Sequence, residues 1–486
     1  MKMFVTSKFG KVNGEFAKKL FEARSVTLLS KKQFSQKDVN VDEFFKFYNE
    51  SGQFEDRYKP LKDRDYDRFL STRASRREPS LTRQMTSLAY KVGKDMISLA
   101  EGMPNEQVFP YKRLALDTRF SSLVLEGKEL AAALQYLPSQ GLPALLSELR
   151  KFQSEAHRPP ELPRDILVTN GSQHGIYQCV ELLLEPGDPV LTSEFAYTGF
   201  HGALRPYQPE ILGIPEDKDG MLPETLDSVL ADRLRRGLKM PKMLYITPTG
   251  SNPTGTVLPE DRRRRIYELA CKYDFLIVED DPYIFLNYSD HNVPSFLSMD
   301  TCGRVLRLDS VSKVVSAGLR GAWITAPKPL LERLELHSQV ELLHSCTLSQ
   351  AILLELVKNR KSFASHLTFA RDFYKQRRDA LHSALKPLQR LAPFEYPTAG
   401  LYFWLRVNGV DDVYNMVFHT AFERGLMLVP GQAFLYDTSA PCPYLRLTFS
   451  KIRLEDMDAA VSTLADVIRY EQQRAEQKQK RVATEG

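Results

Sequence analysis

Seven short runs of Val, Ile and Leu recur through the middle of the chain, and they constrain the fold more than any other feature. They are "DILVT" (165–169), "PVLTS" (189–193), "EILGIP" (210–215), "MLYITP" (243–248), "FLIVED" (275–280), "RVLRLDS" (304–310) and "AWITAP" (322–327). Each is nearly continuous in apolar residues rather than alternating, the pattern of a strand buried on both faces. Between most of them lie longer stretches of helical periodicity, such as "GSQHGIYQCVELLLEPG" and "PEDRRRRIYELACKYD". Strands alternating with helices predict an α/β fold, a mainly parallel seven-stranded sheet with helices on both faces. Beyond Lys328 the text becomes long and helical, then returns to "AGLYFWLRV" and "PYLRLTFS" with helical "VYNMVFHTAFERG" between them. That order predicts a smaller α+β domain at the C-terminal end.

A chain of 486 residues exceeds the span of about 250–300 at which one hydrophobic core stops growing. We divide it into an N-terminal extension (1–65), an arm or small-domain segment (66–110), a large domain (111–330), interdomain helices with the small domain (331–470), and a charged tail (471–486). The tail "YEQQRAEQKQKRVATEG" has no apolar stripe and reads as a fraying helix end followed by disorder. A formal charge of +5 is small for this length and gives no reason to expect a nucleic-acid surface. No window of about 18 apolar residues occurs, so no membrane-spanning helix is expected. Cys179, Cys271, Cys302, Cys346 and Cys442 lack Cys-x-x-Cys spacing, which argues against a disulfide framework or a zinc site and suits a reducing compartment. The lysine-rich start, with Phe4, Phe9, Phe16, Leu20 and Phe21 at loosely helical spacing, reads either as an organellar transit peptide or as a plain surface extension. A cytoplasmic or a mitochondrial location follows accordingly.

In a parallel α/β sheet, ligands bind at the carboxyl ends of the strands. Five exits carry polar residues. "TNGSQHG" opens a helix at Gly171, Ser172 and Gln173, either an ordinary N-cap or an anion cradle of backbone N–H groups and a hydroxyl. "SEFAYTG" leaves Tyr197 at the same edge, packed in the core or stacked on a planar ligand. "TPTGSNPTG" is a turn that holds Asn252. "IVEDDPY" drives an apolar strand into Glu279, Asp280 and Asp281, costly unless a cation or protonated nitrogen receives one of them. A metal is the competing reading there, but the neighbouring histidines and carboxylates a metal wants are missing. "LDSVSKVVSAGLRGAW" brings Ser310, Ser312, Lys313 and Arg320 to the fifth exit. Alone, that lysine reads as solvent-facing. Beside two hydroxyls and an arginine suited to a phosphate, it is the amine that condenses with a carbonyl. The five exits together ask for a phosphate, a flat ring, a ring hydroxyl, a ring nitrogen and an aldehyde, all of which pyridoxal 5′-phosphate has.

The set "SNPTG", "EDDPY", "SVSK" with "GLRGAW", and "YLRLTFS" resembles the fold-type I aminotransferases, closest to the kynurenine/2-aminoadipate aminotransferases and their fungal aromatic relatives. The resemblance runs from about residue 65 to 470, through "MISLAEGMPNEQVFP" and "LQYLPSQGLPALL". It implies that Lys313 makes the covalent link to the cofactor aldehyde and later carries the proton between Cα and C4′. Asp280 would pair with the pyridine nitrogen, Asn252 and Tyr283 would bond the phenolic oxygen, and Tyr197 would stack on the ring. Ser172, Gln173, Ser310, Ser312 and Arg320 would hold the phosphate, joined by Tyr136 from the neighbouring subunit of an obligate homodimer. Arg446 would clamp the substrate α-carboxylate by two parallel bonds, a geometry lysine does not supply. Arg83 and the segment around Gly102 would line the side-chain pocket. Two positions depart from the family: Glu101 stands where a second small residue is usual, and Ser251 precedes "NPTG".

The implied reaction transfers the amino group of an L-amino acid (aromatic, kynurenine or 2-aminoadipate) to a 2-oxo acid such as 2-oxoglutarate, in two half-reactions at one site. A lyase or decarboxylase on the same fold is the alternative. Arg446 weighs against it, since a carboxylate held in the ring plane favours loss of the Cα proton over loss of CO₂. A ligand-sensing regulator is a third reading, but residues 1–65 lack the length and basic recognition helix of a DNA-binding domain.

Overall fold

The computed structural model describes residues 39–49, 58–92, 99, 102–119 and 121–485. Contacts divide the chain into Met1–Val39 and Asn40–Gly486, and the architecture below is that of the second unit. The N-terminal segment considered as a transit peptide, and Glu101, lie outside the described residues.

A small antiparallel hairpin, β1 (Arg113–Asp117) with β2 (Ser122–Glu126), precedes the main sheet. That sheet contains β3 (Arg164–Asn170), β4 (Pro189–Ser193) and β5 (Glu210–Ile214). A two-residue ribbon, β6 (Glu216–Asp217) and β7 (Gly220–Met221), follows, then β8 (Met243–Ile246), β9 (Leu276–Asp280), β10 (Val305–Ser310) and β11 (Gly321–Pro327). The sheet order is β3-β11-β10-β9-β8-β4-β5. All seven apolar runs are therefore strands of one sheet. Only β11 runs antiparallel, pairing Gly321 with Asn170 on β3 and Ala322 with Ser310 on β10. Its start thus lies at the edge where the other strands end, which brings Arg320 beside Gly171 and Ser310.

Strands β4, β8, β9, β10 and β11 are buried along their whole length. Alternate residues feed opposite cores: Tyr245, Val278 and Leu308 face one, Leu244 and Ile277 the other. Helices such as Ser172–Leu183 and Glu260–Tyr273 cover the two faces. The C-terminal part carries a three-stranded antiparallel sheet in the order β12 (Tyr402–Arg406), β14 (Tyr444–Thr448), β13 (Val429–Pro430), packed with the helices Arg360–Leu385 and Met457–Glu485.

Two expectations are corrected. The compact unit begins at Asn40, not near residue 66: Phe45 of the helix Val41–Asn49 packs edge-on against Phe152, and Tyr66, Phe69 and Ala74 are buried against the helix Ser172–Leu183. The acidic character of that stretch concealed these few anchors. The charged tail, expected as a fraying helix end followed by disorder, is helical throughout its described length in the helix Met457–Glu485. Its Gln, Glu, Lys, Arg and Ala residues are good helix formers even without an apolar stripe.

Candidate active site

The carboxyl edge of the sheet opens into a cavity of about 320 Å³. Part of its lining comes from the turns around Gly171, Ser312 and Arg320. Gly171 adopts φ +84°, and a Cβ there would stand 1.9 Å from Arg320 Nη2, so a side chain would strain the backbone and displace the guanidinium. The helix Ser172–Leu183 that follows has no side-chain cap, and Ser172 Oγ is buried without a partner. Gly171 is the N-cap of this helix and no side chain caps it, so the helix-start N–H groups and the Ser172 hydroxyl face the cavity without a side-chain partner there. Gln173 Nε2 donates to the Gly199 carbonyl at 2.9 Å, leaving its Oε1 unpartnered. Ser310 Oγ and Ser312 Oγ lie 3.0 Å apart. Arg320 donates only to the carbonyls of Ala317 and Asn170, and among the described residues no carboxylate neutralises it.

Asp280 ends β9 and is 4% exposed. Its Oδ2 accepts a 2.6 Å bond from Tyr245, and its Oδ1 is buried and unpartnered. Burial pushes its carboxyl up to about 7, against the opposing Tyr245 bond and the charge of Lys313. The two flanking carboxylates turn to the other face, where Arg307 Nη1 lies 3.0 Å from Glu279 and 3.2 Å from Asp281. Of the three acids in "VEDDP", one alone faces the cavity.

Lys313 Nζ sits 5.9 Å above the Tyr283 ring. Tyr283 Oη meets Tyr402 Oη at 3.0 Å, and burial drives the Tyr283 hydroxyl well above its ordinary range. Tyr197 is half-buried on the same wall, its hydroxyl likewise raised by burial. Arg446, on β14, donates from Nη1 to Asn252 Oδ1 at 2.8 Å and keeps Nε buried and unpaired, with its guanidinium 4.4 Å above the Tyr402 ring. The turn that carries Asn252 also has packing reasons for its glycines. A Cβ at Gly250 would stand 2.4 Å from the Gly400 nitrogen, and one at Gly255 2.9 Å from the Tyr402 carbonyl.

The cavity thus gathers Ser172, Gln173, Tyr197, Asn252, Asp280, Tyr283, Ser310, Ser312, Lys313, Arg320 and Arg446. Three expected residues stay outside it within one chain. Arg83 donates to Ser139 and the Leu137 carbonyl and lines a separate groove of about 690 Å³ against the helix Lys328–Glu341. Tyr136 is 42% exposed, its ring edge-on to His344. Gly102 is exposed, with no atom within 4 Å of a would-be Cβ.

The geometry adds residues that motif reading missed. Tyr245 and Thr247 on and after β8, and Tyr402 on β12, belong to the site. A lone tyrosine in the aliphatic run "MLYITP" was the available signal, since a buried hydroxyl requires a partner. His174 accepts the Asn170 N–H at Nδ1 (3.2 Å) and meets Glu341 at Nε2 (2.9 Å), pinning the turn before Ser172.

The sequence profile described as "Aminotransferase class I and II" matches residues 94–464. The chain belongs to that family. This aminotransferase is 42% identical over 421 residues to the rat protein named kynurenine/alpha-aminoadipate aminotransferase, mitochondrial, covering 83% of the chain and 99% of the relative. Among solved structures it superimposes on the aminotransferase Aro8 of Candida albicans with a TM-score of 0.76 at 26% identity, covering 85% of this chain and 99% of that one. It also matches a kynurenine aminotransferase of Pyrococcus horikoshii solved with PMP, kynurenine as substrate and KYA as product, at TM-score 0.68, 29% identity, and 84% and 98% coverage. Aminotransferases of this class depend in general on pyridoxal 5′-phosphate. The donor set here fits that group: a buried unpaired Asp280 oxygen for a protonated ring nitrogen, an unpaired Ser172 hydroxyl and unneutralised Arg320 for a phosphate, and Lys313 for an aldehyde. Among the described residues no helix is long and apolar enough to cross a membrane.

Proposed function

We propose that this aminotransferase binds pyridoxal 5′-phosphate in the 320 Å³ cavity and uses it to move the amino group of an aromatic amino acid, kynurenine or 2-aminoadipate to a 2-oxo acid such as 2-oxoglutarate. The bound cofactor supplies an aldehyde to hold the amino group and a protonated ring to take up electrons as the Cα–H bond breaks. Ser172, Gln173, Ser310, Ser312 and Arg320 bind its phosphate with hydroxyls, helix-start N–H groups and a guanidinium. Asp280 Oδ1 would pair with the ring nitrogen, Asn252 and Tyr283 would bond the ring oxygen, and Tyr197 would stack on the ring. Arg446 holds the substrate carboxylate through two parallel bonds, which directs the Cα–H bond rather than the carboxylate toward cleavage. Lys313 would hold the cofactor aldehyde and supply the amine that moves a proton between Cα and C4′. The observation that carries the reading is the coexistence of Lys313, the unpaired Asp280 oxygen and Arg446 in one cavity.

Substrate choice rests on the printed names of the relatives. Tyr136 enters the reading through a second copy of the chain: in a homodimer it would reach the partner's phosphate, while Arg83 and Gly102 would line the substrate side-chain pocket. The mitochondrial name of the rat relative favours the mitochondrial reading of the basic N-terminus over the cytoplasmic one. The test is the first half-reaction. Cofactor-loaded protein mixed with L-kynurenine, L-tryptophan or L-2-aminoadipate should yield the corresponding 2-oxo acid in amounts matching the cofactor, with no CO₂ or ammonia. Release of CO₂ would reinstate the decarboxylase alternative.

A further inference from the structure

Tyr245 stands on β8, paired with Val278 of β9, and is 2% exposed. Its ring stacks on Phe200 with centroids 3.9 Å apart and planes 13° from parallel. That seat fixes where the hydroxyl points, and it points at Asp280 Oδ2, 2.6 Å away. The Thr247 hydroxyl, which faces the cavity, bonds the same phenol. Burial keeps the phenol far above its ordinary range, so it is a neutral hydrogen-bond donor at any working pH. Asp280 is thereby held by one oxygen inside the protein while the other, Oδ1, is buried and has no partner.

We propose that Tyr245 is the positioning residue of this site: its hydroxyl occupies Asp280 Oδ2, fixes the carboxylate plane, and reserves Oδ1 for the ring nitrogen of the cofactor. The inference rests on the reading that Asp280 faces that nitrogen. A bond from a neutral donor favours the ionised carboxylate over the acid and so works against burial, which pushes the group the other way. Asp280 keeps the ring nitrogen protonated only while it is itself ionised. Tyr245 therefore acts on the cofactor through Asp280 without touching it. Phe200 does not act on Asp280 directly; it holds the ring whose hydroxyl does.

Tyr245→Phe keeps the ring on Phe200 and removes one oxygen. The measurement is the dissociation constant of pyridoxal 5′-phosphate for the cofactor-free protein across pH, in the native chain, Tyr245→Phe, Asp280→Asn and the double variant. Tyr245→Phe should weaken binding about tenfold near neutral pH, the scale of one hydrogen bond to a charged group. Its loss of affinity on the acid side should set in at a higher pH than in the native chain, because Asp280 without its donor takes up a proton more readily. In the Asp280→Asn background the same substitution should cost nothing further. Native-like affinity and pH profile in Tyr245→Phe, beside a weakened Asp280→Asn, would overturn the role of Tyr245 and leave the proposed function standing. An equal loss in the Asp280→Asn background, or a Tyr245→Phe chain that does not fold, would mark Tyr245 as structural and also overturn it. Unchanged affinity in Asp280→Asn would instead remove the placement of the ring nitrogen on which the inference rests.

Discussion

Three consecutive carboxylates at the end of β9 meet two different environments. Below the cavity, Glu279 and Asp281 share the buried guanidinium of Arg307, which also lies 2.8 Å from Asp309, and Glu279 accepts the N–H groups of Phe296 and Leu297. Above, Asp280 has one neutral donor and, among the described residues, no cation in hydrogen-bond reach. The lower acids have a cation within reach inside the fold, although Asp281 Oδ1 is also buried without a partner. Asp280 does not, and the same holds for the Ser172 hydroxyl and the Arg446 Nε atom around it. Buried polar groups are costly unless paired, so a cluster of unpaired ones at one strand edge marks where an outside molecule completes the pairing.

This contrast can be broken at several points. The largest expected effect is at Lys313: Lys313→Ala should reduce turnover by roughly 1,000-fold or more, the scale of a lost proton-transfer group, while the melting temperature is retained. Steady-state rates and a thermal melt check both halves. Arg307→Met, by contrast, should destabilise by about 3–5 kcal/mol, because it strands buried carboxylates without their cation. The midpoint of urea unfolding reads that loss. Arg446→Lys should lower kcat/KM by about tenfold or more, mainly through KM, since a lysine makes one bond where the guanidinium makes two. Initial rates at varied amino acid concentration separate KM from kcat.

The smallest effect sharpens the comparison most. The Asp280 carboxyl is raised from 3.8 to about 7 in the cofactor-free fold. Between those values the native state holds a proton that the unfolded chain has released, so this group makes stability fall as pH rises through the window, with the full penalty above about 7. Asp280→Asn should therefore raise the melting temperature of cofactor-free protein by a few degrees at about pH 8, with the gain vanishing by about pH 4. A pH series of melts checks it.

The seven strands were legible because each is a continuous apolar run, the pattern of a strand covered on both faces. The reversal of β11 was not, because an apolar run carries no direction. Site residues that follow a strand end in sequence, from Ser172 to Arg320, were readable as strand exits. Tyr245, Tyr402 and Arg307 were not, because their roles depend on which strand or domain lies alongside. Arg83, Tyr136 and Gly102 lie outside the cavity of their own chain, because a motif match carries no information on where a distant segment packs. The packing of Val41–Asn49 escaped a reading dominated by charge, since among its described side chains only Phe45 is fully buried, with Val41 and Phe44 partly buried beside it.

The proposed binding of a phosphorylated pyridine aldehyde by the unpaired groups at this sheet edge decides the function. Its most direct test is a titration of cofactor-free protein with pyridoxal 5′-phosphate, beside pyridoxal, which lacks the phosphate. The account predicts saturable binding of one molecule per chain with a visible band that Lys313→Ala abolishes, and much weaker binding of pyridoxal and by Asp280→Asn. Equal affinity for the two ligands, or a band that persists without Lys313, would contradict it.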